Sequence, residues 1–144
     1  MSERQKRKAG AFRLNSTVMA AWHCTLRAAR ILRSRVILSQ CPARLRPAPE
    51  NKSNLRAFFH EIHREAGKGG EADKLTLVWE PRGEWKPEEV HELCVELGLV
   101  HGVDPLAQKP TTEGLGYFRL HGRGGFRYRY TDDDLKQPLE TARR

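Results

Sequence analysis

The chain has 144 residues, of which 38% are hydrophobic and 31% are charged, and its formal net charge is +8. This length suits one ordinary domain and is too short for two. Because no stretch approaches the ~20 apolar residues of a membrane span and no apolar core follows the charged N-terminus, the composition predicts a soluble cytoplasmic protein without membrane contact.

The basic residues are concentrated in the first third of the chain. Residues 1–46 contain eleven Lys or Arg and one acidic residue, whereas residues 47–144 contain fifteen basic and seventeen acidic ones. Such an asymmetry is typical of an arm that binds nucleic acid. A surface helix and a frayed tail that lost their acidic neighbours when the chain was shortened also account for it, and both interpretations stay open.

Hydrophobic periodicity predicts helices and strands in alternation. In chain order the predicted elements are a disordered basic tail over 1–12, a helix over 16–33, a strand over 36–38, a helix through Leu55 and Phe59, a strand over 75–79, a helix from Pro87, strands over 99–103 and 117–120, and a helix from Thr131. Ser16 or Thr17 is a plausible N-cap of the first helix. Gly67 and Gly98 are predicted to end the second and third helices, and Pro138 to cut the last one short before a tail over 138–144.

This alternation predicts an α/β fold with a parallel sheet. Only four strands are present, whereas a closed (β/α) barrel needs eight strands over roughly 250 residues. The prediction is therefore a partial TIM-like barrel over residues 13–137 with about four parallel strands, flanking helices and its N-terminal half missing.

Polar residues follow each predicted strand at its C-terminal end. They are Gln40, Glu80, Arg82, Asp104, Arg119 and His121. All strands of a parallel sheet end at the same edge, where α/β folds bind ligands. Side-chain alternation predicts that Leu75, Leu77 and Trp79 face the helices, while Glu80 and Arg82 face inward and form an ion-pair network with each other or with Arg119.

Five segments of the chain carry a family resemblance. They are SQCPARLRP, ENKSNLRAFF, LVWEPRGEW, GLVHGVDP and YFRLHGRGGFRYRYTDDDL, in that order over roughly residues 12–136. Together they resemble the YecE-like family, known as domain of unknown function 72. The resemblance implies a TIM-barrel-like fold and places the six strand-end residues at the barrel mouth, with Tyr128 and Tyr130 in the following loop. The family's opening segments are absent, and the family has no established activity.

The first functional hypothesis is a site for a phosphorylated or otherwise anionic small molecule. Arg offers a planar fork of donors for such a ligand and His titrates near neutral pH, while a carboxylate could act as a general base. The predicted catalytic residues are Glu80, Asp104 and His121, and the predicted ligand-binding residues are Gln40, Arg82, Arg119, Tyr128 and Tyr130. Neither a cofactor nor a resident metal follows from the residue spacing, and the loop over 122–130 is interpreted as a lid.

Two other hypotheses remain open. One is a nucleic-acid-binding or nuclease-like barrel that uses a metal held by Glu80, Asp104 and His121, with the 122–130 loop stacking on bases. The other is a half barrel without independent activity. Such a sheet would expose open edges, so that it would need the missing barrel half or associate with a second copy.

Overall fold

The computed structural model describes residues 9–66, 75–125 and 127–142. Four strands lie in one sheet in the order of the chain, and every neighbouring pair is parallel. The elements are α1 (Ser16–Ile31), β1 (Val36–Gln40), α2 (Pro49–Ala66), β2 (Thr76–Glu80), α3 (Pro87–Leu97), β3 (Val100–Val103), β4 (Tyr117–Phe118) and α4 (Asp132–Ala142). The predicted α/β fold is confirmed as a half-barrel of four parallel strands with flanking helices.

The sheet register brings the strand ends to one level. Gln40 at the end of β1 pairs with Glu80 at the end of β2. One strand further along, Val103 at the end of β3 pairs with Phe118 at the end of β4. The residues that follow the strands therefore share one edge, as the parallel connections require.

The helix-facing side of the sheet forms the hydrophobic core. Leu77 and Trp79 of β2 are buried there against the apolar faces of the helices, including Phe59 and Leu93. The other side is closely packed at β3, since a Cβ atom on Gly102 would lie 2.8 Å from Cγ1 of Val78. The predicted alternation along β2 is thus confirmed, and only glycine fits at position 102 without displacing a neighbour.

Two helix ends can be compared with their predictions. The N-cap of α1 is Asn15 rather than Ser16 or Thr17, because the Asn15 side chain accepts hydrogen bonds from the backbone N–H groups of Thr17 and Val18 at 3.0 and 3.1 Å. The end of α3 is as predicted, since Gly98 adopts the left-handed conformation (φ 60°) that closes a helix. The glycine predicted to end α2, Gly67, lies outside the described residues.

Both predicted tails, 1–12 and 138–144, include residues that belong to the fold. Phe12 is not part of a tail, because its ring packs 5.3 Å from that of Phe58 on the core. At the other end α4 continues through Pro138 to Ala142. The prediction of a break was wrong because one missing backbone donor is tolerated when neighbouring contacts hold the helix, here a bond from Gln137 Nε2 to the Pro105 carbonyl at 2.9 Å. Within the described ranges, no helix combines the length and hydropathy needed to cross a bilayer.

Candidate functional site

A guanidinium group connects three of the strand ends. Arg119 directly follows β4, and its Nη1 donates to Gln40 Oε1 at 2.7 Å and to Glu80 Oε2 at 2.6 Å. The side chain of Glu80 is only 5% exposed. A buried carboxylate needs such a partner, because its desolvation is otherwise uncompensated. Arg119 therefore stabilises the charge of Glu80 and orients Gln40 at the same time.

His121 lies between two carboxylates at the same edge. Its Nε2 is 3.4 Å from Glu80 Oε1 and its Nδ1 is 3.4 Å from Asp104 Oδ2. Neither ring contact is a hydrogen bond, so both are ion-pair distances only. Asp104 is fixed by the backbone, since its carboxylate accepts the N–H groups of Leu106 and His121, each at 3.0 Å. The ring is about one-third exposed, and a carboxylate faces each of its nitrogens.

A cavity of about 350 Å³ opens beside this network. Glu80, Asp104 and His121 line it, so the three predicted catalytic residues face one space. Arg82 and Lys109 lie on its rim and are exposed. The loops after β2 and β3 form most of the cavity wall. The cavity therefore cannot be predicted from single helices or strands.

His101 is a wall residue that the sequence reasoning did not assign to the site. It is 2% exposed, and its Nδ1 accepts the backbone N–H of Thr111 at 3.2 Å. Burial lowers the pKa of His101 to about 4, so the ring is neutral near pH 7 and carries its proton on Nε2. That Nε2 has no partner among the described residues. In the sequence, a histidine within an apolar strand cannot be recognised as part of a cavity wall, because the same pattern is typical of a packed core residue.

Arg82 does not pair with Glu80. It is exposed and makes no ion pair or hydrogen bond with the part of the chain that the structure describes. The chain turns away from the sheet at Gly83, which adopts φ +94°. The Glu80 partner is therefore Arg119, and Arg82 is left available at the cavity rim.

Tyr128 and Tyr130 are not brought into the cavity. Their rings contact each other at 5.2 Å in a T-shaped arrangement, and the Tyr128 hydroxyl donates to Asp134 Oδ2 at 2.7 Å. Asp134 also accepts the N–H and hydroxyl of Thr131, and these bonds together with the tyrosine lower its pKa to about 2. In this structure the tyrosine pair belongs to the N-terminus of α4 rather than to the strand-end network.

No metal centre is formed by the described residues. Among them, no group of three His, Cys, Asp or Glu side chains is arranged to hold an ion. Glu80, His121 and Asp104 form a row in which the imidazole separates the two carboxylates. The nuclease hypothesis therefore finds no ready set of metal ligands in this arrangement.

No protein-family model, curated protein or solved structure matches this chain.

Proposed function

We propose that the chain is a YecE-like half-barrel protein that binds a small anionic ligand, such as a phosphate-bearing molecule, at the C-terminal edge of its sheet. The observation that carries the proposal is one connected network of Gln40, Arg119, Glu80, His121 and Asp104 beside a cavity of about 350 Å³. Parallel α/β sheets bind ligands at this edge. The resemblance to the YecE-like family supports the same positions.

The charges around the cavity favour an anion. The negative charge of Glu80 is neutralised by Arg119, and the carboxylate of Asp104 is engaged by two backbone N–H groups. Arg82 and Lys109 have no acidic partner among the residues described. A guanidinium and an ammonium group on one rim provide the charge-assisted donors that phosphate oxygens accept.

His121 supplies the chemistry of the proposed site. Its two nitrogens face Glu80 and Asp104, so an imidazolium formed by proton uptake would lie between two negative charges. Because Nε2 is buried, a proton exchanged with an oxygen of the bound ligand would pass through Nδ1, on the side of Asp104. Glu80 and Asp104 keep the ring in place during the transfer.

The binding proposal is tested by NMR titration of the ¹⁵N-labelled protein with inorganic phosphate and pyrophosphate. We expect amide shifts concentrated in residues 80–85 and 101–112. The double variant Arg82→Gln/Lys109→Gln should raise the Kd at least about tenfold, since a hydrogen bond to a charged group contributes about 1.5–3 kcal/mol.

The matched control is Arg27→Gln/Lys136→Gln, which removes one arginine and one lysine away from the cavity. Arg27 lies on α1 and Lys136 is exposed on α4. This control should keep the affinity of the unmodified protein. Equal weakening by both double variants would show a response to net charge alone, and the absence of amide shifts at millimolar pyrophosphate would reject the proposed site.

A further inference from the structure

The sheet is open at β1, which has a neighbour on one side only among the described residues. The Cys41 N–H donates to the Glu80 carbonyl at 3.0 Å. Backbone groups alternate in direction along a strand. The odd-numbered residues of β1 therefore point to β2, whereas Leu38 and Gln40 point outward. Their backbone groups have no partner in the described part of the chain.

The sheet is also open at β4, and the pattern there is the same. The Arg119 N–H donates to the Val103 carbonyl at 2.9 Å, so the backbone groups of Phe118 and Leu120 point away from β3. Within the described ranges these groups have no partner either. Each edge is a template for a further strand. Because all four strands are parallel, the β4 edge of one copy can pair in parallel with the β1 edge of a second copy.

The open backbone groups define the register of this pairing. In a parallel ladder, a residue bonds to the two residues that flank its partner on the neighbouring strand. The Leu38 N–H would therefore donate to the Phe118 carbonyl of the second copy. The Leu38 carbonyl would accept the N–H of Leu120 of the second copy. In this register Arg119 of the second copy lies beside Leu38.

This register reproduces the stagger of a closed barrel. The ladders, continued by one residue between β2 and β3, connect Gln40 through Glu80 and Gly102 to Tyr117. The new pairing connects Tyr117 to Val36 of the second copy, which lies four residues before Gln40 of that copy. Two such halves form a ring of eight strands with a stagger of about eight residues. Eight strands and a shear of about eight define the (β/α) barrel.

The side chains at the two edges are complementary. Phe118 and Leu120 lie on the helix-facing side of β4, because Arg119 between them faces the strand-end network. On the same side of β1, an apolar groove of about 760 Å³ separates β1 from α1. The groove is lined by residues that include Phe12, Val18, Trp22 and Phe58. In the deduced register, Phe118 and Leu120 of the second copy enter this groove beside Ile37 and Ser39.

The segments that precede the two edge strands also match. Ile31 and Leu32, shortly before β1, are 77% and 76% exposed, and Leu115, shortly before β4, is 57% exposed. Arg35 and Glu113 are exposed, and neither has an ion-pair partner among the residues described. A second copy therefore brings apolar side chains together and a carboxylate toward an arginine at the N-terminal end of the sheet.

We propose that two copies of this chain close an eight-stranded (β/α) barrel, in which β1 of each copy pairs with β4 of the other around a twofold axis. Each α1 covers the junction between the two copies. Closure removes both open edges at once, whereas a strand from another protein would cover only one of them. Gln40 belongs to both surfaces, with its side chain in the strand-end network and its backbone at the junction. The dimer does not require a bound anion.

The dimer is tested by sedimentation equilibrium of the full chain over a wide range of concentrations. We expect a species of twice the 16.5 kDa chain mass and no larger one, because a twofold ring is closed. Leu120→Lys should raise the dissociation constant at least about tenfold, since it brings a charge into the apolar groove. The matched control is Val95→Lys. Val95 is 66% exposed on α3 and lies at neither edge, so this variant should dimerise as the unmodified protein does.

Three outcomes would overturn the proposal. A monomer at every concentration would show that a second copy does not close the sheet. A series of growing oligomers would show that the edges pair without closing a ring. A dimer that Leu120→Lys leaves intact would have to use another surface.

The register has a test of its own, which does not depend on the Leu120→Lys variant. In a Cys24→Ser background, the double variant Ser39→Cys/Leu120→Cys places thiols on neighbouring strands of the two copies, within disulfide range. Within one copy, two strands separate these positions. Oxidised glutathione should link the double variant into a covalent dimer and leave each single cysteine variant unlinked. A double variant that sediments as a dimer but does not cross-link would reject this pairing. Neither measurement involves phosphate, so its outcome is separate from that of the anion site.

Discussion

Arg119 Nη1 lies 2.6 Å from Glu80 Oε2, and this contact joins residues 39 positions apart in the chain. It connects the end of β2 to the segment that leaves β4. The side chains of Glu80 and Arg119 are 5% and 33% exposed. The pair is therefore a structural link between two strand ends, and it compensates the charge of a buried carboxylate beside the cavity.

Removal of Arg119 should destabilise the fold. Arg119→Ala leaves the Glu80 carboxylate buried without its partner, and we expect a loss of about 3 kcal/mol in the free energy of unfolding. The double variant Glu80→Gln/Arg119→Gln should recover part of this loss because no buried charge remains. Urea denaturation measures both, with Arg129→Ala as the exposed control. If Arg119→Ala is as stable as the double variant, the buried Glu80 carboxylate does not need its partner, and the Glu80–Arg119 pair contributes little to stability.

His101 should make stability depend on pH. Its pKa is lowered to about 4 by burial, whereas an unfolded histidine titrates near pH 6.5. Between these values the unfolded state binds more protons, so stability is fully present above about pH 6.5 and falls as the pH drops toward 4. The full effect is about 3 kcal/mol.

The pH prediction has a matched variant. His101→Asn keeps an acceptor for the Thr111 N–H and removes the titration. Urea denaturation at pH 5 and pH 7.5 should therefore show a smaller pH difference for this variant. His60→Asn, at an exposed position of α2, should leave the difference unchanged. If the stability difference between pH 5 and pH 7.5 is unchanged in His101→Asn, another group causes the pH dependence.

Substitution of Gly83 should disturb the contact between the loop after β1 and the loop after β2. It adopts φ +94°, and a Cβ atom would lie 2.4 Å from the carbonyl oxygen of Ala43. Gly114 also has a positive φ, +80°, but a Cβ atom there would meet nothing within 4 Å. Both alanine variants carry backbone strain of about 1 kcal/mol, and Gly83→Ala should cost about 1–3 kcal/mol more from the clash. Equal melting temperatures would contradict the contact.

The three cysteines should differ in reactivity toward a thiol reagent. Cys24 is exposed, whereas Cys41 and Cys94 are buried. Burial raises the pKa of Cys41 to about 11 and that of Cys94 to about 12, so neither forms the reactive thiolate in the fold. We expect one fast thiol at pH 8, lost in Cys24→Ser, and three thiols in urea. Fast labelling of Cys41 in the native protein would show that β1 opens readily.

Much of the fold follows from local patterns in the sequence. The 3.6-residue period of α3, with Pro87 at its start and Gly98 at its end, depends on neighbouring residues alone. The parallel order then follows from the alternation of helices and strands. Because parallel strands end at one edge, the sequence alone predicts that Glu80, Asp104 and His121 lie close together.

The remaining features depend on contacts between distant segments. Glu80 pairs with Arg119 rather than Arg82 because the chain turns away at Gly83, and Tyr128 lies at the start of α4 because Asp134 accepts its hydroxyl. The strand-end cavity exists only where the loops after β2 and β3 meet α3. The sequence by itself therefore determined the elements and the edge that holds the polar residues, through short-range periodicity and the geometry of parallel strands. Only the tertiary structure decided the partners of those residues, since loop paths bring together groups that no local pattern relates.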